Sequence, residues 1–126
     1  MNITQFFDTV LKAPLSNSRN SWGAISRDGK LYLRVWEDHF QRINGRQYVL
    51  IMGPDWTTCK PGKERQRHID ALRGGMPTYG VLCQAQSNEE PRTIRQFDHK
   101  TIFGLGEVIT HDGFIYAKVV SRHRVE

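Results

Sequence analysis

In "WGAISRDGKLYLRVW", residues Trp22 to Trp36, two short alternating runs flank an Asp-Gly pair. Alternation at period two, broken by a turn dipeptide, predicts a β-hairpin. Its second arm sends Leu31, Leu33 and Val35 to one face and Tyr32, Arg34 and Trp36 to the other. Two large aromatics and a cation on a solvent face need an explanation. Either a second layer covers that face, or the face is a surface that holds something.

Working outward from this hairpin, strands are expected at about 22–27, 30–37 and 46–52, the third preceded by "RING". Tyr48 to Met52 is a continuous apolar run, as in a strand buried on both sides. Upstream, Ile3, Phe6, Phe7, Val10 and Leu11 fall on one stripe of an amphipathic helix. Asn2 and Gln5 can form its capping box, and Pro14 stops it near Lys12 or Ala13. "LSNSRNS" is a polar connector between this helix and the hairpin. Downstream, "GPDWTTCKPGK" reads as a loop and residues 62–73 as a short helix with Ile69 and Leu72 inward, ended by Gly74-Gly75. "TYGVLCQAQ" and "RTIRQF" are strands around a "SNEEP" turn, and "DHKTIFGLG" has no clear state. "EVITHDGFIYAKVV" closes the chain as another hairpin. Gly104 and Gly106 in "FGLGEV" suit a bend or bulge.

Residues 25–35 and 109–119 echo one another: Ile, Asp, Gly, Tyr and Val match in register. Amphipathic hairpins resemble one another, so the echo is open to two readings: coincidence, or two equivalent hairpins facing each other in a closed or nearly closed barrel. Together these elements predict one α+β domain spanning 1–126, with a β-rich, antiparallel, barrel-like sheet.

With 126 residues, the chain is long enough for one core and too short for two. Its composition, 38% hydrophobic and 25% charged with a mean hydropathy of −0.56, is that of a globular chain. No run approaches the roughly 20 apolar residues of a membrane span. "MNITQFFDTVLKAPL" does not read as a signal peptide, because Asp8 and Lys12 interrupt its apolar residues. Cys59 and Cys83 lie far apart with no CxxC spacing. That favours a reducing, cytoplasmic setting over a disulfide scaffold or thiolate zinc site. The net charge of +5 directs attention to polyanionic partners, DNA or RNA first, and argues against an acidic DNA mimic.

Catalytic signatures are weak. The five histidines show no paired ligand spacing, so no metal or other cofactor is expected. There is no nucleophile elbow, and His68 and Asp70, two apart on a helix, do not face one another. No phosphate-loop pattern follows Gly104 and Gly106. A metal-dependent nuclease of the PD-(D/E)xK type could use Asp55 and Glu64, but the required lysine is missing. "WEDHF" places Glu37, Asp38 and His39 together, with adjacent side chains on opposite faces of a strand.

Binding is the reading that remains. Lys60, Lys63, Arg65, Arg67 and Arg73 gather around the loop and second helix; Arg92, Arg95, Lys100, Arg122 and Arg124 gather later. Trp56 leads into the first group, and Trp36 ends a basic strand. Unstacked bases need aromatic faces to lie on and cations for their phosphates. The same residues also have structural readings: Trp22 and Trp36 as core, Trp56 as a lid, and 60–73 as a solvated helix face.

The order of helix, "RNSWGAI", hairpin ending "LRVWED", strand, "ERQRHIDALRGG" and "YGVLCQA" resembles the PUA-like pseudobarrels, a group that includes the EVE and SRA modified-base readers. The resemblance implies a cleft that takes up a nucleotide, with Trp22, Trp36 and Trp56 as stacking surfaces and Asp55 or Asp38 as acceptors for a base edge. It also allows Tyr32, Arg34 and Trp36 to line the concave face of the barrel; the alternative is that Phe6 and Phe7 cover that face. The leading expectation is a non-catalytic nucleic-acid-binding domain with phosphates on Lys60, Lys63, Arg65 and Arg67. A protein-interaction accessory module of a phage or defence system, with the aromatics as hot spots, is the second. The nuclease is the third.

Overall fold

The computed structural model describes residues 1–17, 21–87 and 93–125. The middle of the "LSNSRNS" connector, most of the "SNEEP" turn and Arg92 lie outside the described residues. Helix α1 starts at Ile3–Gln5, and its capping box forms: the Asn2 side chain accepts from the Gln5 N–H while the Gln5 side chain accepts from the Asn2 N–H. The expected single α-helix is instead widened over Phe6–Val10 into a π-turn, with the Leu11 N–H bonded to the Phe6 carbonyl at 3.0 Å. Lys12, at φ 56°, then turns the chain away ahead of Pro14.

Eight strands follow: β1 Gly23–Ile25, β2 Leu31–Trp36, β3 Phe40–Ile43, β4 Arg46–Met52, β5 Thr78–Ala85, β6 Ile94–Phe97, β7 Thr101–His111 and β8 Phe114–Arg124. Helix α2, Lys60–Arg73, lies between β4 and β5 and begins two residues before its expected start, with Pro61 in its first turn. Strand β3 is absent from the sequence reading because "FQRI" is short and half polar; the Asn44-Gly45 turn of "RING" joins it to β4. The unassigned "DHKTIFGLG" contributes the start of β7, and its register shifts between Gly104 and Leu105 and again between Leu105 and Val108.

All eight strands form one sheet in the order β1-β2-β5-β7-β8-β4-β3, with β6 on β5. This corrects the expected sheet in two respects. It is mixed rather than antiparallel, because α2 carries the chain back so that β5 runs parallel to β2. It is also open rather than closed, with β1 and β3 at the two ends of the hydrogen-bonded path. The two echoing hairpins are separated by β5, and their tyrosines enter different clusters: Tyr32 joins Phe6 and Phe7, while Tyr116 joins Ile43 and Tyr48.

Each face of the central strands has its own cover. Leu31, Leu33, Val35, Val49, Ile51, Phe103 and Leu105 pack with Ile69 and Leu72 of α2. On the other side, Phe6, Phe7 and Leu11 of α1 pack on Ala24, Tyr32, Val81 and Ile102. Phe6 and Phe7 are fully buried, about 1.5–3 kcal/mol of stabilisation each. Among the described residues no helix is long and apolar enough to cross a membrane.

Candidate functional site

Strand β2 carries both answers to the question posed by its mixed face. Near its start Tyr32 is buried beneath α1 and stacks on Tyr79, centroids 5.5 Å apart. Tyr32 is therefore a core residue, absent from the cavity at the other end of the strand, since the α1 phenylalanines cover its own end. Toward its end Arg34 and Trp36 escape this cover and line a cavity of about 480 Å³ with Trp22, Trp56, Asp55 and His39. The cavity thus gathers the three tryptophans from three segments: the approach to β1, the end of β2 and the turn before α2. Trp22 and Trp56 meet edge to face at 5.4 Å, and the His39 ring lies 6.4 Å from Trp56.

Trp56 is held by two close approaches. A Cβ on Gly53 would lie 2.5 Å from the Trp56 indole nitrogen. A Cβ on Gly62 would lie 1.5 Å from the Trp56 carbonyl oxygen. Only glycine at 62 lets the turn Trp56–Thr58 sit against the first turn of α2.

Arg65 is the largest departure from the sequence reading. It was expected to meet phosphate, yet it is 2% exposed and braces the fold. Its guanidinium donates from Nη1 to the Ile51 carbonyl at 2.7 Å, and from Nη2 to the carbonyls of Trp22 at 2.9 Å and Arg34 at 2.8 Å. β2 and β4 are separated in the sheet by β5, β7 and β8, so the sheet curls until one side chain reaches both. The guanidinium spans a gap that no strand pairing closes. It also lies 5.8 Å from the Trp22 ring centroid, and its Nε is buried with no hydrogen-bond partner. Burial, reinforced by the Arg34 charge, pushes its pKa down to about 9, which leaves it cationic at neutral pH. Arg65 falls on the same helical stripe as Ile69 and Leu72, and that periodicity was the available sign that it turns inward.

Arg34 donates from Nη1 to the Ser21 carbonyl at 2.7 Å, and burial lowers its pKa. Beside it, burial pushes the Cys83 thiol up to about 11, so Cys83 is a neutral wall group. Cys83 was missed as a lining residue because β5 comes beside β2 only through the parallel crossover. Asp55 lines the cavity and is exposed; Asp38, also exposed, is not on its lining. Cys59, unbonded to Cys83, is exposed on the same cavity.

Lys60, Lys63 and Arg67 are exposed and line a neighbouring groove of about 340 Å³ with Ser16, Asn17, Ser21 and Glu64. The two depressions flank the same chain segments, Ser21–Trp22 and Cys59–Lys60. Glu64 lies on α2, where it accepts from Ser16, and Asp55 lies in the turn before it, so the two are not on neighbouring strands as a PD-(D/E)xK site requires. Among the described residues no group of three His, Cys, Asp or Glu side chains could hold a metal ion. No family model, curated protein or solved structure matches the chain.

Proposed function

We propose that this chain is a non-catalytic nucleic-acid-binding domain that takes an unstacked base, standard or modified, into the tryptophan cavity. The observation that carries this reading is the convergence of Trp22, Trp36 and Trp56 on one cavity beside a groove lined by Lys60, Lys63 and Arg67. Aromatic faces serve the base and the exposed cations serve its phosphates. The cavity volume lies within the usual range of about 300–1,000 Å³ for ligand sites. The PUA-like reading of the fold belongs to this proposal. Its support is the curl of the sheet, which brings β2 and β4 to one guanidinium and opens the cavity near that gap.

Fluorescence-anisotropy titration against single-stranded DNA, duplex DNA and RNA at two salt concentrations tests it. We expect affinity that falls steeply with salt and differs among the three. Trp56→Ala should weaken binding about tenfold or more at both salts, from a stacking contribution of about 1–3 kcal/mol. Lys63→Ala with Arg67→Ala should instead reduce the salt slope by about one to two units, at about 0.9 per phosphate contact on duplex DNA. Absence of binding at low salt would remove the proposal.

A further inference from the structure

The proposed base cavity has a polarity that selects among its occupants. The carbonyls around its wall already accept hydrogen bonds: Trp22, Arg34 and Ile51 from Arg65, Ser21 from Arg34, and Trp56 from the Cys59 thiol at 3.3 Å. The Cys83 thiol is turned to the Val81 carbonyl at 3.6 Å. Donors remain. They sit on Arg34, whose guanidinium has N–H groups beyond those that bond the Ser21 carbonyl and Cys83. The exposed carboxylate of Asp55 is the anionic acceptor on this lining, which also holds the His39 ring. Two guanidinium charges in the wall also oppose a cationic occupant, so a methylammonium-type ligand, which aromatic surroundings alone would favour, is disfavoured here.

Resting on the proposed function above, we infer that the cavity reads the oxo edge of a base, so that uracil or thymine is taken over cytosine and guanine over adenine. The exocyclic oxygen, and N7 in guanine, accept from the arginine side. The exocyclic amine of cytosine or adenine would instead point a donor at donors. The ring N–H of an oxo-base can be met by Asp55. The base can arrive as a free nucleotide or as part of a strand, and both present the same edge.

Tryptophan fluorescence of the intact chain, titrated in parallel with UMP, CMP, GMP and AMP and with equal-length oligo-dT and oligo-dC, tests the inference. Within each matched pair the ligands share ring type and charge and differ in oxo or amino at C4 of the pyrimidine or C6 of the purine; guanine adds a C2 amine and thymine a C5 methyl, so UMP against CMP is the cleanest pair. The expected result is an oxo preference of about tenfold or more in Kd on at least one arm. In Arg34→Lys, checked for folding by circular dichroism, the preference should shrink below about threefold, because the ammonium keeps the charge but loses the fork. Should that variant unfold, the ligand series on the unaltered protein still decides. Affinities within about twofold across each pair, or an amino preference, would overturn the inference. If dT and dC bind equally with a steep salt dependence, the inference falls and nucleic-acid binding stands. If UMP is preferred over CMP while neither oligonucleotide binds, the inference stands and the nucleic-acid reading falls. If no ligand binds, both fall.

Discussion

Arg65 shows how a charged residue can be worth more to the fold than to a ligand. Its three carbonyl partners come from β4, from β2 and from the segment before β1, and each would lose a buried donor on truncation. Unsatisfied buried groups cost about 1–3 kcal/mol each, and breaking buried charged networks costs about 3–5 kcal/mol. Arg65→Ala is therefore expected to lower unfolding stability by about 3 kcal/mol or more in urea titration. Arg65→Lys should recover little of it, since one ammonium does not reproduce the planar fork. A loss below about 1 kcal/mol would show that the guanidinium does not brace the gap. Tyr32 and Trp36 make the complementary point. They share a strand face, yet one is core and the other lines the cavity, because α1 reaches only part of β2.

Helix α2 divides its labour by face. Gly62, Arg65, His68, Ile69 and Leu72 are buried, while Lys60, Lys63 and Arg67 stay in solvent at spacings of three and four residues. His68 has a consequence for pH. Burial pushes its pKa down to about 4, with the Arg65 and Arg67 charges acting in the same direction and Glu64 opposing them. The unfolded value is near 6.5, so between about pH 6.5 and 4 the unfolded chain binds a proton that the folded chain excludes. Stability should thus be level in this respect above pH 6.5 and fall as the pH drops through that window, on the order of 3 kcal/mol in total. Urea midpoints at pH 7, 5.5 and 4.5 would measure it. His68→Gln, which has no titrating group there, should flatten that part of the slope. An identical slope in the variant would assign the effect to other groups.

At the scale of the whole molecule, the open sheet makes its own prediction. β1 and β3 each pair on one side, whereas β5 has β2, β6 and β7 against it. Alternate amides of β1 and β3 should exchange their hydrogens at rates near those of exposed backbone, while Val81 and its β5 neighbours exchange slowest. Protection throughout β1 and β3 would mean that the sheet closes. The hairpins, the capping box at Asn2, the inward Ile69 and Leu72 and the double-sided burial of β4 were legible because each rests on neighbours within a few residues. The Tyr48–Met52 run and the Asp-Gly turns needed no tertiary information. The three tryptophans were legible as candidates by residue type, and the cavity that joins them was not.

By itself, then, the sequence determined where the chain turns, which runs alternate, and that the domain is strand-rich α+β with excess positive charge, since these follow from local periodicity, turn chemistry and composition. Tertiary structure alone decided that β5 returns parallel to β2, that Tyr32 belongs to the interior, that Arg65 joins β2 to β4, and that Trp22, Trp36 and Trp56 share one cavity. Those outcomes depend on how α1 and α2 cover the two faces of a curled sheet. Such contacts join residues far apart in the chain, and local patterning carries no record of them.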